Sequence, residues 1–381
     1  MGEVEKKTKV EYNKSMDFDS QIGTTLSQIE NEISSLLPAA PGEEWLTLSF
    51  GQLDSGIHPE HLEPLITPTR TLVELGGKRW RPLLLVLTAE CASQALELSE
   101  KEEKAVLKNA CHLAPLVEFV HTASLIHDDI EDNSDTRRGK PAAHLTYGMD
   151  TALNAGSWLF FQAGSAIKTL DAPIELKEKL HELYMAETRK LHLGQAMDIS
   201  WHRKVDYMPP VDSYLSMVRS KTGTLSSLAA KTGALLARCN TDIVKKAGVI
   251  AADIGAGFQI IDDVINLTTG NVGKKRGDDI VEGKKSLPII LFMQKNKNND
   301  ASGKLLGLIN KAKAEGIESP AVEEAISLLT ESGVIETARQ SGISAIENGC
   351  SSFASLFASV PSTEKVKWLF ERMIPKSGGR Q

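Results

Sequence analysis

From about residue 60 onward, apolar residues return every three or four positions almost without a break, and no convincing alternation of apolar and polar residues occurs. A period of 3.6 stacks side chains on one helix face, whereas a half-buried strand needs a period of two. The helical patterns cover 60–75, 82–96, 103–132, 151–170, 176–199, 211–237 and 242–267, then shorter stretches at 287–294, 303–313, 321–332 and 341–357. Several, such as 225–236, are apolar on more than one face, as expected of helices inside a large bundle. The pattern predicts an all-α protein, one large helical bundle over residues 59–381 built around a central cavity. Residues 1–58 read as a loosely attached, partly helical extension. Within it, 20–37 forms an amphipathic helix ended by the PAAPG run at 38–42, and 45–59 is irregular.

Two acidic clusters interrupt the apolar patterns, DDIED at Asp128 to Asp132 and DDVIN at Asp262 to Asn266. Residues i and i+4 share a helix face, so Asp128 projects with Asp132, and Asp262 with Asn266. The flanking SLIH and FQII segments are apolar, which places ionised carboxylates beside a buried region. That arrangement is costly unless a cation offsets it. Mg²⁺ suits it, because this hard ion takes a few carboxylates and completes its shell with water and phosphate oxygens.

Each acidic cluster is followed by basic residues. Arg137 and Arg138 follow the first, and Lys274, Lys275, Arg276, Lys284 and Lys285 follow the second. A third basic group, GGKRWRP at Gly76 to Pro82, opens a helix with Lys78, Arg79 and Arg81. Cations there oppose the helix macrodipole, a conflict expected at a binding site. Guanidinium forks match phosphate oxygens. Two copies of apolar helix, acidic ladder and basic loop therefore describe a cavity holding Mg²⁺ and a diphosphate.

Formal charge is −7, which argues against a general nucleic-acid or anionic-membrane binder. No run approaches 18 apolar residues, so no transmembrane helix is expected, and the first residues lack the apolar stretch of a secretory signal. The four cysteines are far apart with no metal-binding spacing, consistent with reduced thiols in a cytoplasmic protein.

GGKRWRP, HTASLIHDDIEDNSDTRRGKP, GQAMD (Gly194 to Asp198), KTG (Lys221 to Gly223), FQIIDDVIN and GDDIVEGKKSLP occur in the order found in trans-isoprenyl diphosphate synthases. Over roughly residues 70–295 the chain resembles that family, the polyprenyl synthetases. The resemblance implies an all-α fold, commonly homodimeric, that joins isopentenyl diphosphate to an allylic diphosphate with three Mg²⁺ ions per active site. It implies Mg²⁺ ligands at Asp128, Asp132 and Asp262, supported by Asp129 and Asp263. Lys78, Arg81, His121 and Arg138 match the isopentenyl diphosphate site. Arg137, Lys221, Lys274 and Lys284 match the groups holding the allylic diphosphate, and Thr222 and Gln259 match those aiming oxygen dipoles at a carbocation.

The chain departs from the family at Asn266, where Asp is common, and at Ser157, where a Gly-Asp pair is usual and Trp158 adds a bulky ring. Ala123 and Ser124 lie one helical turn before Asp128, and Val120 two turns before it. Members with short products tend to have an aromatic ring at 123 or 124, so the small residues imply a product of twenty carbons or more, with Trp158 as a side floor. Rival readings are a class I terpene cyclase, a metal hydrolase using His127 and Asp128, and a non-catalytic subunit of a heteromeric synthase. The cyclase is disfavoured by Gly270, which stands where a metal-binding Ser would fall, and the subunit by the two intact acidic motifs.

Overall fold

A computed structural model describes residues 22–204, 207–270, 275–297 and 299–374. The chain is helical as expected. Helix α1 covers 22–36 in the described residues. It is followed by α2 (Glu43–Phe50), α3 (Glu63–Glu74), α4 (Trp80–Ala95), α5 (Glu100–His112), α6 (Ala114–Glu131), α7 (Ala143–Tyr147), α8 (Met149–Ala163), α9 (Ser165–Thr169) and α10 (Ile174–His202). The second half holds α11 (Val211–Val218), α12 (Thr224–Leu236), α13 (Thr241–Thr268), α14 (Asp278–Glu282), α15 (Leu287–Lys295), α16 (Asp300–Glu315), α17 (Pro320–Glu331), α18 (Val334–Leu356) and α19 (Pro361–Glu371). Among the described residues no helix is long and apolar enough to cross a membrane.

Several patterns that read as single helices are broken, each for a local reason. The 103–132 pattern splits at Leu113, after which Pro115 occupies the first turn of α6, where its missing N–H costs nothing. The 211–237 pattern carries one wide π-type turn, Arg219–Gly223, between α11 and α12. Such insertions gather at functional sites, and this one bears Lys221 and Thr222. Glycines make room for it. A Cβ on Gly194 of α10 would stand 2.3 Å from the Lys221 amide nitrogen, and one on Gly223 would stand 2.5 Å from the Ala252 carbonyl of α13.

Two expectations are corrected. Residues 45–59 are not irregular throughout, since α2 spans Glu43–Phe50. The extension is not loosely attached either. Ile22, Ile29, Ile33, Leu36, Leu37 and Trp45 belong to the principal apolar cluster, together with residues of α4, α6, α8 and α13. A strand signal was also invisible, because it is only two residues long on each side. Thr136–Arg137 pairs with Lys140–Pro141 across Arg138 and Gly139, both at positive φ (52° and 76°). Two consecutive positive φ values are what a tight hairpin turn requires.

Helix α13 joins the two halves of the molecule. Ile254, Phe258 and Ile261 enter the principal cluster, while Ile260, Val264 and Leu267 enter a second one with α11, α15, α16 and α17. The helix packs along α12 and α18. Its polar stripe is left to face a cavity.

Candidate active site

The cavity holds about 1180 Å³ and opens between α4, α6, α10, the π turn, α13 and the 277–286 loop. Its lining contains Asp128 from α6 and Asp262 from α13, and the basic residues Lys78, Arg81, Arg137, Arg138, Lys221 and Lys284. Residues separated by up to about two hundred positions thus share one space, as the two-ladder pattern requires.

The first ladder is held by cations and an amide. Asp128 Oδ1 accepts from Lys221 Nζ at 3.1 Å and from Gln195 Nε2 at 3.1 Å. Burial alone would raise its carboxyl, but Lys221, Lys284 and Arg137 outweigh it and hold it well below the usual carboxylate range. Asp132 Oδ2 accepts from Lys284 Nζ at 2.9 Å. Burial and the neighbouring Asp128 charge nevertheless leave Asp132 above its ordinary value. Asp129, one residue round the helix, turns inward and takes the Arg137 guanidinium (Nε at 2.8 Å).

The second ladder repeats the division of labour between its two aspartates. Asp263 is buried, accepting from Tyr214 Oη at 2.6 Å and Gln259 Nε2 at 3.0 Å. Burial pushes it up to about 6 in spite of these bonds. Asp262 faces the cavity and is exposed there. The protein around it pushes its carboxyl up to about 6 against Arg81 and Lys78, a rise that water in the open cavity moderates. Asn266 also lines the cavity and is engaged by the backbone. Its Oδ1 accepts the Asp279 backbone N–H at 3.3 Å, and it ties the 277–286 loop to α13. Asp279 joins Asp262 on the cavity lining.

The basic groups form two sets. In the first, Arg81 lies over the Trp80 ring at 4.2 Å and donates from Nη1 to His121 Nε2 at 3.3 Å. An arginine only donates, so this His121 nitrogen accepts. Burial and four surrounding arginines push His121 well below its ordinary value, which keeps the ring neutral. Burial brings Arg81 down to about 10. Arg138 reaches from the hairpin to the carbonyls of Gly76 and Leu72 (3.1 Å to Leu72), so the RRG and GGKR motifs form one wall. Lys78 is exposed on that wall. In the second set, Lys221 Nζ is shared between Asp128 and Asp198 Oδ2 at 2.6 Å, and Lys284 is shared among Asp132, Asp279 and Glu282. Burial would lower both ammonium groups, but their acidic neighbours hold them well above the ordinary lysine value.

Three sequence expectations change. Lys275 and Arg276 pair with Glu318 and Glu323 outside the cavity, and Lys274 lies outside the described residues. Of the candidate chain-length residues, Ser124 lines the cavity, while Ala123 and Val120 are fully buried in the core behind it. Trp158 points away, stacked on Phe50 (6.2 Å between centroids) and set edge-on to Trp45. Its second neighbour Phe160 does line the cavity, as do Trp80 and Phe258, and packs between His127 (5.5 Å) and His192 (4.9 Å). Ser157 Oγ donates to Leu153 O at 2.8 Å and lies 3.3 Å from His127 Nε2, away from the acidic ladders.

Thr222 Oγ1 donates to Gln259 Oε1 at 2.8 Å, and Gln259 in turn donates to Asp263. The polar pair is therefore anchored to the second ladder. Sequence reasoning did not assign Gln195, Asp198, His202, Tyr214 or Asp279. The i, i+3 spacing inside GQAMD places Gln195 and Asp198 near one another on α10. No local pattern points to Tyr214, which comes from another helix. His202 Nε2 sits 2.8 Å from Asp198 Oδ1 and completes the support of Lys221.

Asp128, Asp132 and Asp262 offer only hard oxygen donors. Among the described residues no group of three or more His, Cys, Asp or Glu side chains is gathered into a metal cage. That donor set fits an ion bound by one or two carboxylates and completed by water and substrate phosphates, as Mg²⁺ is.

The polyprenyl synthetase family model matches residues 63–326. The chain is 34% identical over 272 residues to a short chain isoprenyl diphosphate synthase of Methanocaldococcus jannaschii, covering 70% of this chain and 76% of the relative. It is also 34% identical over 290 residues to a geranylgeranyl diphosphate synthase of Methanosarcina mazei, covering 75% and 82%. The crystal structure of a geranylgeranyl pyrophosphate synthetase from Pyrococcus horikoshii superposes with a TM-score of 0.75 at 26% identity, covering 96% of this chain and all of that one.

Proposed function

The chain belongs to the polyprenyl synthetase family, and we propose that it condenses isopentenyl diphosphate with an allylic diphosphate to give an all-trans prenyl diphosphate of twenty carbons or more. It is a prenyltransferase of isoprenoid biosynthesis. One observation carries the two-substrate reading. The cavity combines Asp128 and Asp262, one from each acidic cluster, with two basic sets that have different partners, Lys78, Arg81 and Arg138 on one wall, and Lys221 and Lys284 with Arg137 beside the first cluster. A terpene cyclase needs a single diphosphate site, and neither it nor a non-catalytic subunit finds support among the relatives.

On this reading Lys78, Arg81, Arg138 and neutral His121 hold isopentenyl diphosphate. Lys221 and Lys284, with Arg137 braced on Asp129, face the diphosphate of the allylic substrate. Asp128, Asp132 and Asp262 would hold magnesium, at the three ions per site implied by the family resemblance. When bound, magnesium would neutralise charge on the departing diphosphate. The allylic C–O bond breaks and its electron pair leaves with the diphosphate, the double bond of isopentenyl diphosphate attacks the allylic carbon, and the released diphosphate takes the proton whose loss restores a double bond. Lys221 and Lys284 stabilise the leaving anion, while the Thr222–Gln259 pair presents dipoles beside the cation. The apolar wall of Leu191, Leu225, Phe258 and Phe160 keeps water from the cation, and Phe160 with Ser124 bounds the space for the growing chain.

Homodimerisation is supported by apolar side chains left in solvent on α8 and α10, namely Phe161 (78% exposed), Ile174, Leu193 and Leu153. A cytoplasmic location fits the cysteine pattern. The purified chain is expected to incorporate radiolabelled isopentenyl diphosphate into geranyl or farnesyl diphosphate with Mg²⁺ and not with EDTA. Absence of incorporation with every allylic substrate refutes the proposal, and product chromatography reads chain length.

A further inference from the structure

We infer that the N-terminal helix α1 is a working part of the isopentenyl diphosphate site, with Glu30 acting as a positioning residue through Arg79. The inference rests on the two-substrate reading above. GGKRWRP places three cations within four residues, and only two of them, Lys78 and Arg81, line the cavity. Arg79 is turned the opposite way into a closed socket. Its Nε donates to Glu30 Oε1 at 2.7 Å and its Nη2 to Glu30 Oε2 at 3.3 Å. Its Nη1 donates to Glu118 Oε1 at 2.6 Å, and its Nη2 also donates to the Val73 carbonyl at 2.8 Å. The guanidinium is thereby tied to α1, α6 and the end of α3 at once, with its side chain only 5% exposed.

The backbone explains why this socket matters for ligand binding. Arg79 stands at the N-terminal boundary of α4 in a left-handed conformation, φ 45° and ψ 26°. A non-glycine residue keeps such a conformation only when its surroundings impose it. That conformation sets the directions in which Lys78, one residue before, and Arg81, two residues after, leave the chain. The socket also joins the two walls of the same subsite. Glu118 is one turn before His121 on α6, and His121 is the residue that Arg81 touches.

Glu30 itself is delivered rigidly. Its neighbours Ile29 and Ile33 are buried in the core, and Glu32 Oε2 lies 2.9 Å from His112 Nδ1. Glu118 is the deeply buried partner and carries the stability of the socket, because removing it would strand a buried guanidinium. Glu30 is half-exposed, so its carboxylate can be neutralised without opening the core.

The test uses the full chain with Glu30→Gln and Glu30→Asp, with isopentenyl diphosphate varied at saturating allylic diphosphate and the reverse. Glu30→Gln is expected to raise KM for isopentenyl diphosphate about fivefold, the scale of one half-exposed ion pair. KM for the allylic substrate and the melting temperature stay at their wild-type values, and Glu30→Asp recovers part of the loss. An unchanged KM, an equal rise in both KM values, or a loss that merely follows a lowered melting temperature overturns the inference. Should Glu30→Gln not fold, Arg79→Lys, which keeps the charge and gives up the fork, carries the same comparison. An inactive wild-type chain sinks the functional reading as well, whereas an active wild type without the split sinks this inference alone.

Discussion

Asp128 and Asp262 read as equivalent ligands, yet in the metal-free protein their removal should change stability in opposite directions. Asp128 is gripped by Lys221, Arg137 and Gln195, with its side chain 19% exposed. Breaking a buried ion pair costs about 3–5 kcal/mol. Lys221 keeps Asp198 and some water remains, so Asp128→Asn should cost about 2 kcal/mol, or a fall of about 4 °C in Tm. Asp262 has no such grip, and its carboxyl is pushed up to about 6. A fully buried group with that two-unit rise would forfeit about 3 kcal/mol on ionising. Its exposure to cavity water reduces this to about 1 kcal/mol or less, so Asp262→Asn should raise Tm by about 1–2 °C at pH 7.5.

The pH dependence separates the two further. A lowered carboxylate contributes stability above its unfolded value near 4, so the Asp128→Asn loss should be the same at pH 7.5 and 5.5. A raised carboxylate destabilises above its folded value, which cavity water keeps below about 6, so the Asp262→Asn gain should be full at pH 7.5, shrink as pH falls through that folded value and vanish below about 4. Scanning calorimetry in EDTA at pH 7.5, 5.5 and 4 measures both. Shifts of the same sign at pH 7.5, or a pH-independent gain for Asp262→Asn, would refute the assignment of opposed environments. Mg²⁺ with a diphosphate ligand should stabilise the wild type and do so less in either variant.

Further outcomes follow from the same geometry. Asp128→Ala and Asp262→Ala should each lower turnover by at least about a hundredfold in the incorporation assay while remaining folded by circular dichroism. Lys78→Ala and Arg81→Ala should raise KM for isopentenyl diphosphate about tenfold more than KM for the allylic substrate, and Lys221→Ala the reverse; equal effects would argue against two diphosphate sites. Phe160→Ala should lengthen the products seen by chromatography, since the ring lines the cavity. Ala123→Phe should instead cost about 1–3 kcal/mol by overpacking a fully buried position, lowering Tm more than it changes product length.

The all-α fold and the acidic ladders were legible because both follow from periodicity along one helix. Asp128 and Asp132 are a turn apart wherever α6 lies, and the basic residues after each cluster are covalently near it. The family followed from six motifs in order. Helix ends were less legible, since the breaks at Leu113 and Arg219–Gly223 depend on packing against other helices. The sequence likewise left residues 1–58 without a role, because Arg79 meets Glu30 across 49 positions and nothing local records that pairing.

Only tertiary structure decided which member of each Asp-Asp pair faces the cavity and which is bonded inward. It decided that Lys275 and Arg276 pair with Glu318 and Glu323 outside the cavity lining, and that Phe160 rather than Trp158 lines the cavity. It also placed Tyr214 under Asp263 and set Asn266 as a backbone anchor. A one-dimensional pattern specifies which residues share a helix face, whereas a side chain's charge state and partner depend on which other helix occupies the space opposite. Close approaches at Gly194 and Gly223 set that opposition here, by letting α10 and α13 close upon the turn that carries Lys221.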